Sequence, residues 1–142
     1  MRRFLVVGNQ TLASREFRAT VLERLAGEPC RFHVVVPATP PHDHFVWSEG
    51  EVVASARTRL EETLAWMHAQ GALTTGEVGD AHPLLAVTDA LSHDDYDEII
   101  LSTLPPGISR WVRQDLVHRV ARHTDTPVCH VVASVPSVTA AP

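Results

Sequence analysis

The sequence has few cysteines and no long apolar run. Its two cysteines, Cys30 and Cys129, each lie within or next to an apolar run. A disulfide framework needs more cysteines than this, so we expect two buried reduced thiols. No apolar run approaches the roughly 18 residues needed to cross a bilayer. The start MRRFLVVGNQ has too few apolar residues for a signal peptide. We therefore expect a cytoplasmic protein with no membrane partner.

Positive charge is also scarce. The formal net charge is -5, with 12 basic and 17 acidic residues. Nucleic-acid binding needs a basic domain or interleaved aromatic and basic side chains, so we expect no nucleic-acid partner. The sequence contains no Gly-x-Ser-x-Gly elbow, Walker loop or Cys-x-x-Cys pair. Its serines, histidines and aspartates are too scattered to nominate a nucleophile and its base. We therefore expect no enzymatic activity.

Apolar runs and amphipathic segments alternate along the chain. Short continuous runs of β-forming residues are typical of strands buried on both faces of a parallel sheet. The predicted strands are 4–7, 32–36, 73–78, 97–102 and 127–133. Four helices are predicted between them, covering 13–25, about 48–70, about 80–93 and a segment that ends near residue 123. Strands and helices in alternation indicate one α/β domain with a parallel sheet.

The second helix carries the strongest local signal. Ser48 and Glu51 have the spacing of a capping box, and Trp47 and Val52 have that of a hydrophobic staple. Its predicted core face is made of Val53, Ala56, Leu60, Leu64 and Met67.

The third strand and the third helix carry weaker sequence signals. The third strand contains threonines and Gly76, which suits an edge of the sheet better than its centre. Asp80 is predicted to cap the third helix, and Pro83 is compatible with its first turn.

The ordered set of segments resembles the universal stress protein family over nearly the whole chain. The similar pieces are FLVVGNQT, FHVVVPA, VGDAHPLLAV, DEIILS and HRVARHTDTPVCHVV. The resemblance implies a Rossmann-like three-layer α/β sandwich, with a five-stranded parallel sheet of order 3-2-1-4-5 and four helices. It implies one domain over residues 1–133, and the Ser-, Pro- and Ala-rich composition of 134–142 predicts a frayed tail. It also implies a homodimer formed through the last strand, 127–133.

The loop between the fourth strand and the fourth helix departs from the ATP-binding branch of that family. That branch carries Gly-x2-Gly-x9-Gly-Ser/Thr, whose glycines let the backbone approach phosphates. Ser102 stands where the first glycine is expected, and Pro105, which has no N–H, stands three residues later. Counting back from the last strand, the Gly-Ser pair falls on Gln114 and Asp115. We expect the Asp115 carboxylate to cap the last helix and to repel a phosphate there.

Two interpretations of this loop remain open. It is either a rigid turn that packs Trp111 on the domain or a modified ligand loop with Ser109 and Arg110 as anion contacts. The candidate ligand-binding residues are Asn9, Val36, Ser102, Thr103, Gly107, Ser109, Arg110, Gln114 and Asp115. Asn9 stands where the family typically has an aspartate at the end of the first strand.

Three functions follow from these alternatives. The first is a regulatory or interaction module that does not bind ATP through the usual loop and needs no cofactor. The second is a stress protein that binds ATP or another adenine nucleotide through an altered loop. The third is a metal-assisted phosphoester enzyme that uses His42 and His44, although two neighbouring histidines do not complete a metal site.

Overall fold

The computed structural model describes residues 1–40 and 48–134, without the side chains of Arg110 and Arg113. Five parallel strands form one sheet in the order β3-β2-β1-β4-β5. The strands are β1 (Arg2–Val7), β2 (Cys30–Pro37), β3 (Leu73–Gly79), β4 (Glu98–Thr103) and β5 (Val128–Val132). The helices are α1 (Arg15–Ala26), α2 (Glu49–Ala69), α3 (Pro83–His93), α4 (Arg110–Arg113) and α5 (Leu116–His123). The predicted topology and the edge position of β3 are confirmed.

The helices cover both faces of the sheet and make two separate cores. On one face, α1 and α2 place Phe17, Val21 and Met67 over Phe4 and other strand residues. On the other, α3 and α5 pack against alternate residues of the same strands. Strands β1 and β4 are buried from both sides, which explains their continuous apolar sequence. The predicted three-layer sandwich is therefore confirmed.

Helix α2 begins as predicted, and Ala56, Leu60 and Met67 of its predicted core face are buried. Ser48 and Glu51 form the expected capping box. Val53 is 38% exposed and Val52 is buried instead, so the prediction for Val53 was wrong. From the start at Glu49, the 3.6-residue period points Val52 inward, together with Ala56, Leu60, Thr63 and Met67. Trp47 of the predicted staple lies outside the described residues.

Two other helix starts differ from the prediction. Asp80 does not cap α3, because the N-cap position belongs to His82 and the helix begins at Pro83. The Asp80 carboxylate instead accepts from the His82 N–H at 2.8 Å, which closes a turn ahead of the helix. Helix α1 follows a separate 3₁₀ turn, Gln10–Ala13, and is capped by the Ser14 hydroxyl, which accepts from the Phe17 N–H.

An ion pair ties α1 to the amino end of β4. The Arg24 guanidinium donates to both carboxylate oxygens of Glu98, at 3.0 and 3.1 Å. Both side chains are mostly buried, with 18% and 15% exposure. Arg24 also lies 5.9 Å from the centre of the Phe4 ring. The hydrogen bonds to Glu98 raise the pKa of Arg24, so the guanidinium stays charged at every relevant pH.

Both cysteines are free thiols, as predicted, although Cys129 is only half-buried. Burial raises the pKa of each, which makes them poor nucleophiles at neutral pH. Among the described residues, no helix is long and apolar enough to cross a bilayer. The predicted tail falls mainly on residues 135–142, which lie outside the described part of the chain.

Candidate functional site

A cleft of about 210 Å³ opens beyond the carboxyl ends of the strands, beside β1 and β4. The strand order reverses between these two strands, which is where ligands bind in open α/β sheets. Its polar lining comprises Asn9, Gln10, Thr11, Thr39, His82, Ser102, Thr103, Ser109 and Gln114, and its apolar lining comprises Pro40, Ala81, Pro83, Leu104, Ile108 and Trp111.

The first wall of the cleft depends on a glycine at the end of β1. An added Cβ at Gly8 would lie 2.6 Å from Leu12 Cδ2 and 3.2 Å from Ser102 Cβ. This close approach lets the chain turn at once into the 3₁₀ segment that carries Gln10 and Thr11. Gly8 therefore sets the position of one side of the cleft.

Buried hydrogen bonds hold the floor of the cleft together. The Thr11 and Ser102 hydroxyls are 2.6 Å apart and link the turn after β1 to β4. Asn9 Nδ2 donates to the Pro37 carbonyl at 2.9 Å, which links the same turn to the end of β2. Asn9, Thr11 and Ser102 are all buried. The ends of three neighbouring strands are thus fixed relative to one another.

Thr103 connects the cleft to the edge strand β5. Its hydroxyl donates to the Leu104 carbonyl at 2.9 Å and lies 2.8 Å from His130 Nε2. Since the only hydroxyl hydrogen is used on Leu104, His130 Nε2 must carry the proton and donate to Thr103. Burial lowers the pKa of His130, which favours this neutral form.

The titration of His130 predicts how the free energy of unfolding depends on pH. Because its pKa in the folded protein lies below the ordinary 6.5, the unfolded chain binds the proton more readily. His130 should therefore reduce the free energy of unfolding as pH falls below about 6.5. His130→Gln retains an N–H for Thr103 and cannot titrate. Between pH 7.5 and 5.5, the free energy of unfolding measured in urea should fall less in this variant than in the parent protein. An equal fall in both would contradict the lowered pKa of His130.

The loop from Leu104 to Ser109 uses several of its backbone hydrogen-bonding groups within the loop itself. Pro105 and Pro106 have no N–H, and the N–H groups of Ile108 and Ser109 both donate to the Pro105 carbonyl, at 2.9 and 2.8 Å. The Ser109 hydroxyl accepts from the Val112 N–H at 3.1 Å. Few amides remain in this loop to surround a phosphate chain.

The predicted role of Asp115 as a side-chain cap was wrong. Asp115 occupies the N-cap position of α5, but its side chain makes no capping hydrogen bond. It has a left-handed backbone, with φ 60°, whereas a capping residue has an extended one. Its carboxylate contacts His118 Nδ1 at 2.6 Å and does not line the cleft. It therefore does not occupy a phosphate position there.

The structure brings some of the sequence-predicted ligand residues together and separates others. Those lining the cleft are Asn9, Ser102, Thr103, Ser109 and Gln114. Val36 is fully buried in the core, and Gly107 is exposed with nothing within 4 Å of an added Cβ. The side chain of Arg110 is not described. Sequence reasoning missed Thr11, Thr39 and His82, although all three follow the ends of strands, which was an available signal.

Cationic side chains are missing from the described lining of the cleft. The chain contains no lysine, so its 12 basic residues are all arginines. None of those whose side chains are described lies at the cleft. In the described ranges, no group of three or more metal-ligating side chains occurs either. His42 and His44 lie outside these ranges.

A parallel α/β sheet of order 3-2-1-4-5, with a cleft at its switch point, defines a Rossmann-like fold. Comparison with solved structures narrows this to a universal-stress-protein-like fold. A universal stress protein from Archaeoglobus fulgidus matches with a TM-score of 0.64 and 14% identity, over 92% of this chain and 93% of that one. A protein from this family from Burkholderia pseudomallei matches with a TM-score of 0.60 and 16% identity, over 91% and 94%.

A third solved structure, the universal stress protein from Archaeoglobus fulgidus in complex with dAMP, matches with a TM-score of 0.57 and 19% identity, over 92% of this chain and 97% of that one. No family model matches the chain, and no curated protein matches it significantly in sequence. At these identities the similarity is one of fold, and the functional conclusion depends on the cleft itself.

Proposed function

We propose that the protein is a non-enzymatic, universal-stress-type regulatory or interaction module that does not hold a triphosphate in the loop after β4. The observation that carries the proposal is the backbone of that loop, in which two residues are prolines and two amides are used internally. A triphosphate needs a row of free amides or cations.

A nucleotide-binding function through an altered loop is the second candidate. The observation in its favour is the cleft at the switch point, together with a similar fold that was solved in complex with dAMP. Ser109 and Arg110 would then be the anion contacts.

Thermal denaturation with ATP, AMP and cyclic AMP, each with and without Mg²⁺, separates the two candidates. A ligand at a hundredfold excess over its Kd stabilises the folded state by about 2.7 kcal/mol. We expect no stabilisation by ATP. Stabilisation by ATP that disappears in Arg110→Ala would overturn the proposed function.

We also propose a homodimer formed through β5, which is an edge strand of the sheet that the described residues form, because an edge strand can pair with a second chain. Val132 lies on this strand and is 38% exposed. Light scattering should give a dimer mass at micromolar concentration and a monomer mass for Val132→Arg. Leu85→Arg, at an exposed position on α3, is the matched control and should leave the mass unchanged. A monomeric parent protein would count against pairing through β5.

A further inference from the structure

Hydrogen bonds link three polar side chains in a row on one face of β2 and β3. The imidazole of His33 contacts the Thr75 hydroxyl through Nδ1 at 2.7 Å and a Glu77 carboxylate oxygen through Nε2 at 2.9 Å. Thr75 and Glu77 are 42 and 44 residues from His33 in sequence, and the parallel register of the two strands brings them together. A carboxylate, an imidazole and a hydroxyl in this order form the arrangement that activates a hydroxyl nucleophile.

The direction of these hydrogen bonds suits the activation of Thr75. A carboxylate only accepts hydrogen bonds, so His33 Nε2 carries a proton and donates to Glu77. In the neutral ring Nδ1 is then the acceptor, and the Thr75 hydroxyl donates to it. The ring of Tyr96 stacks on the imidazole, with the ring centres 6.4 Å apart. Glu77 and Tyr96 therefore orient His33 as a base toward Thr75.

Thr75 is accessible to a reactant from outside the protein. It belongs to the face of β3 on which Leu73, Thr75 and Glu77 are all exposed, whereas helix α2 covers the opposite face. The side chain of His33 is only 20% exposed. The base is therefore shielded from water while the residue that it activates lies at the surface.

A positive charge and an apolar side chain flank this nucleophile. Arg31 lies two residues before His33 on β2 and opposite Leu73 in the register, so its side chain is on the same face. Arg31 is exposed and forms no ion pair within the described part of the chain. Leu73 is 53% exposed. An acyl phosphate matches both neighbours, because its acyl group is apolar and its phosphate is an anion that a guanidinium binds well.

We propose that Thr75 is a site of covalent acylation, and that it takes its acyl group from an acyl phosphate. The Thr75 oxygen attacks the acyl carbon while its proton passes to His33 Nδ1. The bond from that carbon to the phosphate oxygen breaks, and phosphate leaves with the electron pair beside Arg31. An ester remains on Thr75, and Nδ1 gives its proton to the phosphate or to water. The reaction modifies the chain once and involves no residue of the cleft, so its failure would leave the proposed function unchanged.

Incubation of the full chain with acetyl phosphate, followed by intact-mass and peptide mass spectrometry, tests the proposal. The chain has no lysine, so few amines compete for the acetyl group. We expect one acetyl group on Thr75, which Thr75→Val should lose and Thr75→Ser should retain. Thr74→Val, on the opposite face of the same strand, is the matched control and should be acetylated like the parent protein. A parent protein without acetyl on Thr75, or equal acetylation of Thr75→Val, would overturn the proposal.

Two further variants test the groups around Thr75. His33→Ala should slow acetylation by at least about a hundredfold, as expected for a general base. Added imidazole should restore part of the rate, which a purely structural role of His33 would not allow. Arg31→Gln should slow the reaction with acetyl phosphate by up to about fivefold and leave the reaction with p-nitrophenyl acetate, an uncharged ester, unchanged. Failure of imidazole to restore the rate would overturn the role of His33, and equal effects of Arg31→Gln on both reagents would overturn the choice of an acyl phosphate.

Discussion

Glu98→Gln should lower the free energy of unfolding by about 2 kcal/mol, because it leaves the mostly buried Arg24 guanidinium without its two-oxygen partner. The other carboxylate that Arg24 contacts, that of Glu23, is at the surface and compensates little. Urea unfolding of the variant and the parent protein at pH 7 measures the difference.

Two variants control for this result. Glu23→Gln removes a largely exposed partner of the same arginine and should cost less than about 0.5 kcal/mol. The double variant Arg24→Met with Glu98→Met removes both charges, and it should be more stable than Glu98→Gln alone. If Glu98→Gln were no more destabilising than Glu23→Gln, the buried pair would not be what joins α1 to β4.

Gly8→Ala should destabilise the protein by about 2 kcal/mol, because its methyl group would overlap Leu12 and press on Ser102. Leu12 is buried, so its side chain has little room to move away. Thermal or urea unfolding measures the loss. Gly107→Ala is the matched control, with nothing within 4 Å of its added Cβ, and should change stability by less than about 0.5 kcal/mol. Equal effects at both glycines would contradict the close approach at Gly8.

The fold was predictable because its signals are local and repeated. The apolar runs of β1 and β4 and the capping box at Ser48 and Glu51 each report on a few neighbouring residues, and each was confirmed. The place of the cleft was predictable as well, since it follows from strand order alone.

The details of the cleft were not predictable, because they depend on contacts between distant segments. The pairs Thr11 with Ser102 and Thr103 with His130 are 91 and 27 residues apart in sequence, and only the register of the strands brings them together. The error at Asp115 has another origin. Residue type indicates a cap, but Asp115 has a left-handed backbone, two residues after the one-turn helix α4, and makes no capping hydrogen bond.

The hydrogen bonds below the cleft also have a kinetic consequence. The links from Thr11 to Ser102 and from Asn9 to Pro37 hold three strand ends in place before any ligand arrives. A ligand therefore has little to reorganise on that side, and its association should be a single step at a rate set by encounter. Differences in affinity between related ligands would then arise from their dissociation rates. We therefore expect the selectivity of this cleft to appear in measured dissociation rates.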